Sequence, residues 1–117
     1  MDIQRYVIGW LERARKREVE EKKLAESAKE CAERCAAVLG KLGAKRVYLF
    51  GSFRDGYFCK GSDIDLAVEG LEPGLYFKAL VEIHKISDSF SIDLAPLEDY
   101  RYKETIVEEG ELIYETA

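Results

Sequence analysis

The chain is predicted to fold as an α/β (α+β) protein, a mixed β-sheet with helices packed against it, preceded by an amino-terminal helical segment. Three observations predict this. Apolar residues recur at three- and four-residue steps over the first third of the chain, four short runs of β-branched and aromatic residues follow, and helical spacing separates most of those runs. The 117 residues fit one domain, read as a helical segment over 1–42 and a core over 46–117. With 47% hydrophobic and 35% charged residues, two prolines and nine glycines, disordered and collagen-like chains are excluded.

From Ile3, the residues Tyr6, Val7, Trp10, Leu11 and Ala14 fall on one face of a helix. Tyr6 and Trp10 are expected to pack on the core, as aromatic stripes at this spacing usually do, with another chain as the alternative. Arg13 to Lys23 is almost wholly charged and mixes both signs, the pattern of a solvated helix face supported by i,i+4 pairs. It reads equally as a hinge between two helices or as the middle of one. Leu24, Ala28, Cys31, Ala32, Cys35, Val38, Leu39 and Leu42 then restore the stripe, which Gly40 and Gly43 are expected to stop.

Arg46 to Phe50 is a strand that runs into a tight turn at Gly51-Ser52, with a short helix expected next. Ile64 to Val68 is a second strand, ending in the Gly70 to Gly74 turn, where Pro73 introduces a helix over Leu75 to Ser87. Phe90 to Leu94 is a third strand that Pro96 ends. Tyr100 to Glu109 reads as a helix closed by Gly110, and Leu112 to Tyr114 as a terminal strand.

Eighteen basic residues against twenty-three acidic ones give a charge of -5, which makes a nucleic acid a poor default partner. Residues 1–12 lack the apolar segment of a signal peptide, and no apolar run reaches the ~18 residues of a membrane span, so a cytoplasmic protein without membrane attachment is expected. Cys31, Cys35 and Cys59 are too few for a closed disulfide framework and read as reduced thiols.

The chemistry resides in carboxylates. Asp63 and Asp65 stand two apart at the start of the second strand, so their side chains share a face. Among Ile64, Leu66 and Val68, mutual repulsion raises the pKa of one of them unless a cation intervenes. Magnesium suits such a pair, because it binds to one or two carboxylates and completes its octahedron with water and substrate phosphates. Asp93, between Ile92 and Leu94, would complete a three-carboxylate site if its strand lay beside the second. That set can hold two magnesium ions, with Asp93 as ligand and candidate general base. Gly51 permits close approach of a phosphate to the backbone, and Ser52 adds a hydroxyl donor.

Gly51-Ser52, ten intervening residues, then Asp63-Ile64-Asp65-Leu66 with Asp93 downstream resembles the signature of the DNA polymerase β-like nucleotidyltransferase superfamily. Ser62 to Val68 looks most like the minimal nucleotidyltransferases, small proteins with little beyond the catalytic core. The resemblance spans Val47 to the carboxyl terminus. It implies a nucleotidyltransferase fold and magnesium-dependent transfer of a nucleoside monophosphate, AMP from ATP, to a hydroxyl with release of pyrophosphate. It also implies that Gly51 and Ser52 bind phosphate and that Asp63, Asp65 and Asp93 are metal ligands. Relatives often carry a basic residue three places after the serine; here Asp55 occupies that place and Arg54 precedes it, so Arg54 and Lys60 are the candidate nucleotide contacts. Many minimal nucleotidyltransferases are similar to antitoxins paired with a HEPN toxin, some of which adenylylate a toxin tyrosine. By that resemblance the partner is a HEPN-type toxin, and the amino-terminal helix is a candidate docking surface or homo-oligomer contact.

Two other readings compete. One is a binding module of the same fold that neutralises its partner by contact. The other is a small-molecule nucleotidyltransferase, similar to aminoglycoside-modifying enzymes, completed by a second subunit. A serine or cysteine hydrolase is disfavoured because the lone His84 sits mid-helix, and zinc because no second ligand pair follows Cys31 and Cys35.

Overall fold

The computed structural model describes residues 2–51, 63–87 and 90–116. Helix α1 (Ile3–Lys41) leads into β1 (Arg46–Phe50), β2 (Ile64–Glu69), α2 (Tyr76–Ile86), β3 (Ile92–Pro96), α3 (Lys103–Glu109) and β4 (Glu111–Glu115). The four strands form one mixed sheet in the order β3-β2-β1-β4. β1 is antiparallel to both β2 and β4, whereas β2 and β3 run parallel. The mixed sheet with helices agrees with the expected fold class, and the short helix expected after Ser52 lies outside the described residues.

One unbroken helix settles the open question about the charged stretch: Arg13 to Lys23 is the solvated middle of α1 and not a hinge. Asp2 caps its amino terminus, its carboxylate accepting from the Gln4 N–H at 3.0 Å. The far end closes on Gly43 at φ +108°, a conformation that only glycine takes without strain. There the Gly43 N–H donates to the Gly40 carbonyl and the Ala44 N–H to the Leu39 carbonyl, the paired bonds of a Schellman turn. Gly40 therefore does not stop the helix. Its role is close packing: a methyl there would fall on the Tyr114 ring of β4, within 2.6 Å of a ring carbon.

α1 and α2 cover one face of the sheet. Ala28, Cys31, Cys35 and Leu39 of α1 and Ala79 and Ile83 of α2 pack on Val47, Leu49, Ile64, Leu66, Val68, Ile92 and Leu94, residues that alternate along the strands. Both α1 cysteines are buried and outside any disulfide, as an apolar role requires. Burial pushes the Cys35 thiol up to about 12, with Cys31 beside it adding to the shift. On the opposite face Tyr48, Ala67, Leu97 and Ile106 make a smaller cluster, joined by Phe50 and Tyr100.

The amino-terminal stripe departs from expectation. Tyr6 and Trp10 are 63% and 51% exposed, and α1 makes its first fully buried contact only at Ala28. A 39-residue helix is roughly 58 Å long, far more than a four-strand sheet with strands of five or six residues can cover, so the stripe runs out of core. The overall extents of 65 × 30 × 23 Å reflect that overhang.

Other boundaries shift for local reasons. A 3-10 turn over Pro73–Leu75 precedes α2, which starts at Tyr76. β3 begins at Ile92 and includes Pro96, which an edge strand tolerates because one side of it makes no ladder. α3 starts at Lys103, since Tyr100 and Tyr102 are engaged in ring contacts instead. No helix among the described residues is long and apolar enough to cross a membrane.

Candidate active site

Strand pairing puts the acids in register. Phe50 of β1 lies opposite Asp65 of β2, and Asp65 lies opposite Asp93 of β3. Directly paired residues share a face, so the two carboxylates sit side by side on the face away from α1 and α2. Asp63, two residues before Asp65, stands just ahead of β2 and is exposed. Asp65 is the partly buried member, whereas Asp93, on the edge strand, is exposed, which spares it the desolvation cost its apolar neighbours suggested.

The electrostatics follow that placement. Asp65 is raised to about 6, first by burial and then by the negative charges of Asp93 and Asp63. The site concentrates negative charge, and among the described residues no basic side chain forms a salt bridge with it. Gly51 abuts this carboxylate. At φ +78° it takes a conformation suited to glycine, and a methyl in its place would meet the Asp65 side chain, with the carboxyl carbon at 2.9 Å. The turn after β1 and the acid of β2 thus form one unit.

The fit for a divalent cation can be judged from these donors. Among the described residues no three acidic, histidine or cysteine side chains are gathered as a ready ligand cage. Magnesium does not require one, since one or two carboxylates with water and substrate phosphates suffice. Hard oxygen donors at Asp65 and Asp93, with Asp63 close enough to raise Asp65, fit that manner of binding. Of the other expected site residues, Ser52, Arg54 and Lys60, with Asp55, lie outside the described residues, as does Cys59. His84 is exposed on α2.

Three aromatic residues and a tyrosine were not picked out in the sequence as belonging here. The Phe50 and Tyr100 rings meet edge-on with centroids 5.8 Å apart, and Tyr100 and Tyr102 likewise at 6.3 Å, a row of rings that starts at Phe50, opposite Asp65. The signal for Phe50 was present, since alternation from Tyr48 puts it on the face of the acids. Tyr76 of α2 donates its hydroxyl to the Leu94 carbonyl beside Asp93, and its pKa is raised by burial and then by the Asp93 charge.

The family model described as Polymerase beta, Nucleotidyltransferase matches residues 33–117. Two solved structures share the fold. A chain from the crystal structure of a toxin-antitoxin with AMP-PNP is 24% identical with a TM-score of 0.58, over 72% of this chain and 73% of that one. A chain from a mutant of the toxin-antitoxin MntA-HpeT is 21% identical with a TM-score of 0.53, over 68% of this chain and 69% of that one. No curated protein matches significantly.

Proposed function

Because this chain belongs to the polymerase beta nucleotidyltransferase family, we propose that it transfers a nucleoside monophosphate to a hydroxyl of a partner protein. The nucleotide is ATP and the group transferred AMP. The acceptor is a tyrosine of a HEPN-type toxin, and the protein acts as its antitoxin. The paired carboxylates of Asp65 and Asp93, with the Gly51 turn against Asp65, carry this reading.

Each residue has a task in it. Gly51 and Ser52 hold the triphosphate by backbone amides and a hydroxyl, because amides in such a turn point at phosphate oxygens. Asp63, Asp65 and Asp93 hold magnesium, which when bound offsets phosphate charge and orients the triphosphate for in-line displacement. The Asp93 carboxylate, exposed at the sheet edge, takes the proton from the acceptor hydroxyl. As the acceptor oxygen bonds to the α-phosphorus, the bond to the bridging α–β oxygen breaks and pyrophosphate departs. Arg54 and Lys60 are the candidate cations for the departing phosphates. The rings of Phe50, Tyr100 and Tyr102 offer flat apolar surface beside the acids for a nucleobase.

The neighbours support this. One was solved with AMP-PNP, a nucleoside triphosphate analogue, and both come from toxin-antitoxin pairs. The MntA-HpeT mutant carries two Asp-to-Glu changes two positions apart, the spacing of Asp63 and Asp65 here.

The experiment is incubation with α-labelled ATP and magnesium, with and without the HEPN-type partner, read by intact mass. A gain of AMP on the partner, lost in Asp65→Ala and Asp63→Ala while both remain folded, is expected. A stable complex without any mass gain would instead mark a module that neutralises by contact.

A further inference from the structure

The overhanging half of α1 has a direction as well as a length. Tyr114, beside Val47 in the sheet, packs at Gly40, while Glu111, beside Leu49, pairs with Lys29 at 2.9 Å. Moving from Gly40 to Lys29 along α1 is therefore moving from Val47 to Leu49 along β1, toward Gly51. The strand ends that carry Gly51, Asp63, Asp65 and Asp93 lie at the end of the sheet from which α1 emerges. Residues 3–23 extend roughly 30 Å beyond it.

The exposed stripe also has an azimuth. At about 100° per residue, Ile3, Trp10 and Ala14 share the direction of Ala28, Cys35 and Leu39 to within roughly 40°. The latter three are buried against the sheet, so the apolar face of the overhang looks to the side on which the sheet lies. Overhang and sheet end enclose a corner, and the paired acids, on the sheet face away from α1, stand at its far side.

Ile3, Tyr6, Val7 and Trp10 are 44–72% exposed on that face and Leu11, 48% exposed, is at its margin, which leaves roughly 500 Å² of apolar surface at 150–250 Å² per large side chain. A patch of that size on a soluble protein marks an interaction site. Residues 1–17 carry five basic and two acidic side chains, whereas the remainder of the chain nets -8. A flat membrane cannot reach the stripe along its length, because the body stands proud on the same side. Pairing two copies overhang to overhang would set two basic segments against each other.

We infer that residues 3–17 of α1 are the docking surface for the acceptor protein, which presents an apolar patch ringed by acidic side chains and sits in the corner between the overhang and the sheet end. The inference rests on the transfer reading above and gives it its means of acceptor selection: binding on the overhang holds a partner hydroxyl near Asp93. Matched on both sides, the overhang would bury about 1,000 Å², the low end for a specific interface, and the sheet end adds to it. The segment lies before residue 33, where the family match begins.

The test compares the full-length chain with Trp10→Glu and Arg13→Glu/Arg17→Glu, all exposed changes that leave the core untouched. Trp10 is the sole tryptophan and reports docking by its fluorescence. With sub-saturating HEPN-type partner, α-labelled ATP and magnesium, each variant should label the partner at least tenfold more slowly while binding ATP as tightly as the wild type. The Trp10 emission of the wild type should shift to the blue on mixing, less so as salt rises. Labelling at wild-type rates by both variants overturns this inference and leaves the transfer reading standing. No labelling and no binding by the wild type removes the transfer reading, and this one with it. A dimer of the chain alone that Trp10→Glu dissolves, or tryptophan-dependent binding to anionic vesicles, overturns it in favour of a second copy or a lipid surface.

Discussion

Gly51→Ala separates backbone strain from the positioning of Asp65. A non-glycine residue in the left-handed region costs about 1–2 kcal/mol, and Gly51 sits there at φ +78°. Gly43→Ala supplies the control, since Gly43 has φ +108° but nothing within 4 Å of the added methyl. Both variants should melt roughly 4–8 °C lower, taking about 4 °C per kcal/mol for a chain of this size. Only Gly51→Ala drives a methyl into Asp65, whose carboxyl carbon, at 2.9 Å, must retreat about 0.5 Å to reach ordinary contact at 3.4 Å, with its oxygens moving further. Displacement of a reacting group by about 1 Å costs roughly 100-fold in rate. Transfer of labelled AMP should thus fall about 100-fold in Gly51→Ala and by less than about threefold in Gly43→Ala at a temperature where both are folded. Equal activities in the two variants would refute the idea that the turn holds the acid in place.

Asp65→Asn should abolish transfer and yet raise the melting temperature at pH 8. A carboxyl raised to about 6 in the fold is destabilising when ionised; that penalty is absent below the unfolded value of 3.8 and complete above 6, so the gain should vanish at pH 3.5. A gain independent of pH would refute that cause. Carbon-13 titration of the Asp65 carboxyl should give a midpoint near 6 without metal, moving down when magnesium is added and returning on its removal; no response to magnesium would argue against a ligand role. Gly40→Ala should destabilise by about 1–3 kcal/mol through collision with Tyr114, although alanine is the better helix former by about 1 kcal/mol; a higher melting temperature would contradict the close contact. Tyr76→Phe should cost about 1 kcal/mol in denaturant unfolding through loss of its hydrogen bond to the Leu94 carbonyl, and no loss would make that bond energetically idle.

Much of the site was legible because strands translate spacing into geometry. An Asp-x-Asp pair in a strand must share a face, and a glycine straight after a strand marks a backbone that needs room. The pairing of Asp65 with Asp93 was expected only conditionally, since whether β3 lies beside β2 and in which register depends on contacts far apart in sequence. Which acid would be desolvated was not legible either. Asp93 looked the costlier by its neighbours, but its strand is at the sheet edge and Asp65 is interior. Periodicity misled at Trp10 because it reports that a face is apolar and says nothing about what covers it. Gly40 was misread as a stop because a glycine near a helix end has two uses, and only the position of Tyr114 distinguishes them.

The continuity of α1 makes the overhang a ruler with a fixed phase. With no hinge between tip and core, one residue inserted in the charged middle would rotate everything before it by about 100° and turn the stripe out of the corner. Seven residues would restore the azimuth to within roughly 20° while moving the tip about 10 Å further out. Reach and bearing are thus coupled, and length can change in this stretch only in steps near whole turns. The run from Arg13 to Lys23, exposed apart from Ala14, is constrained in number by that coupling.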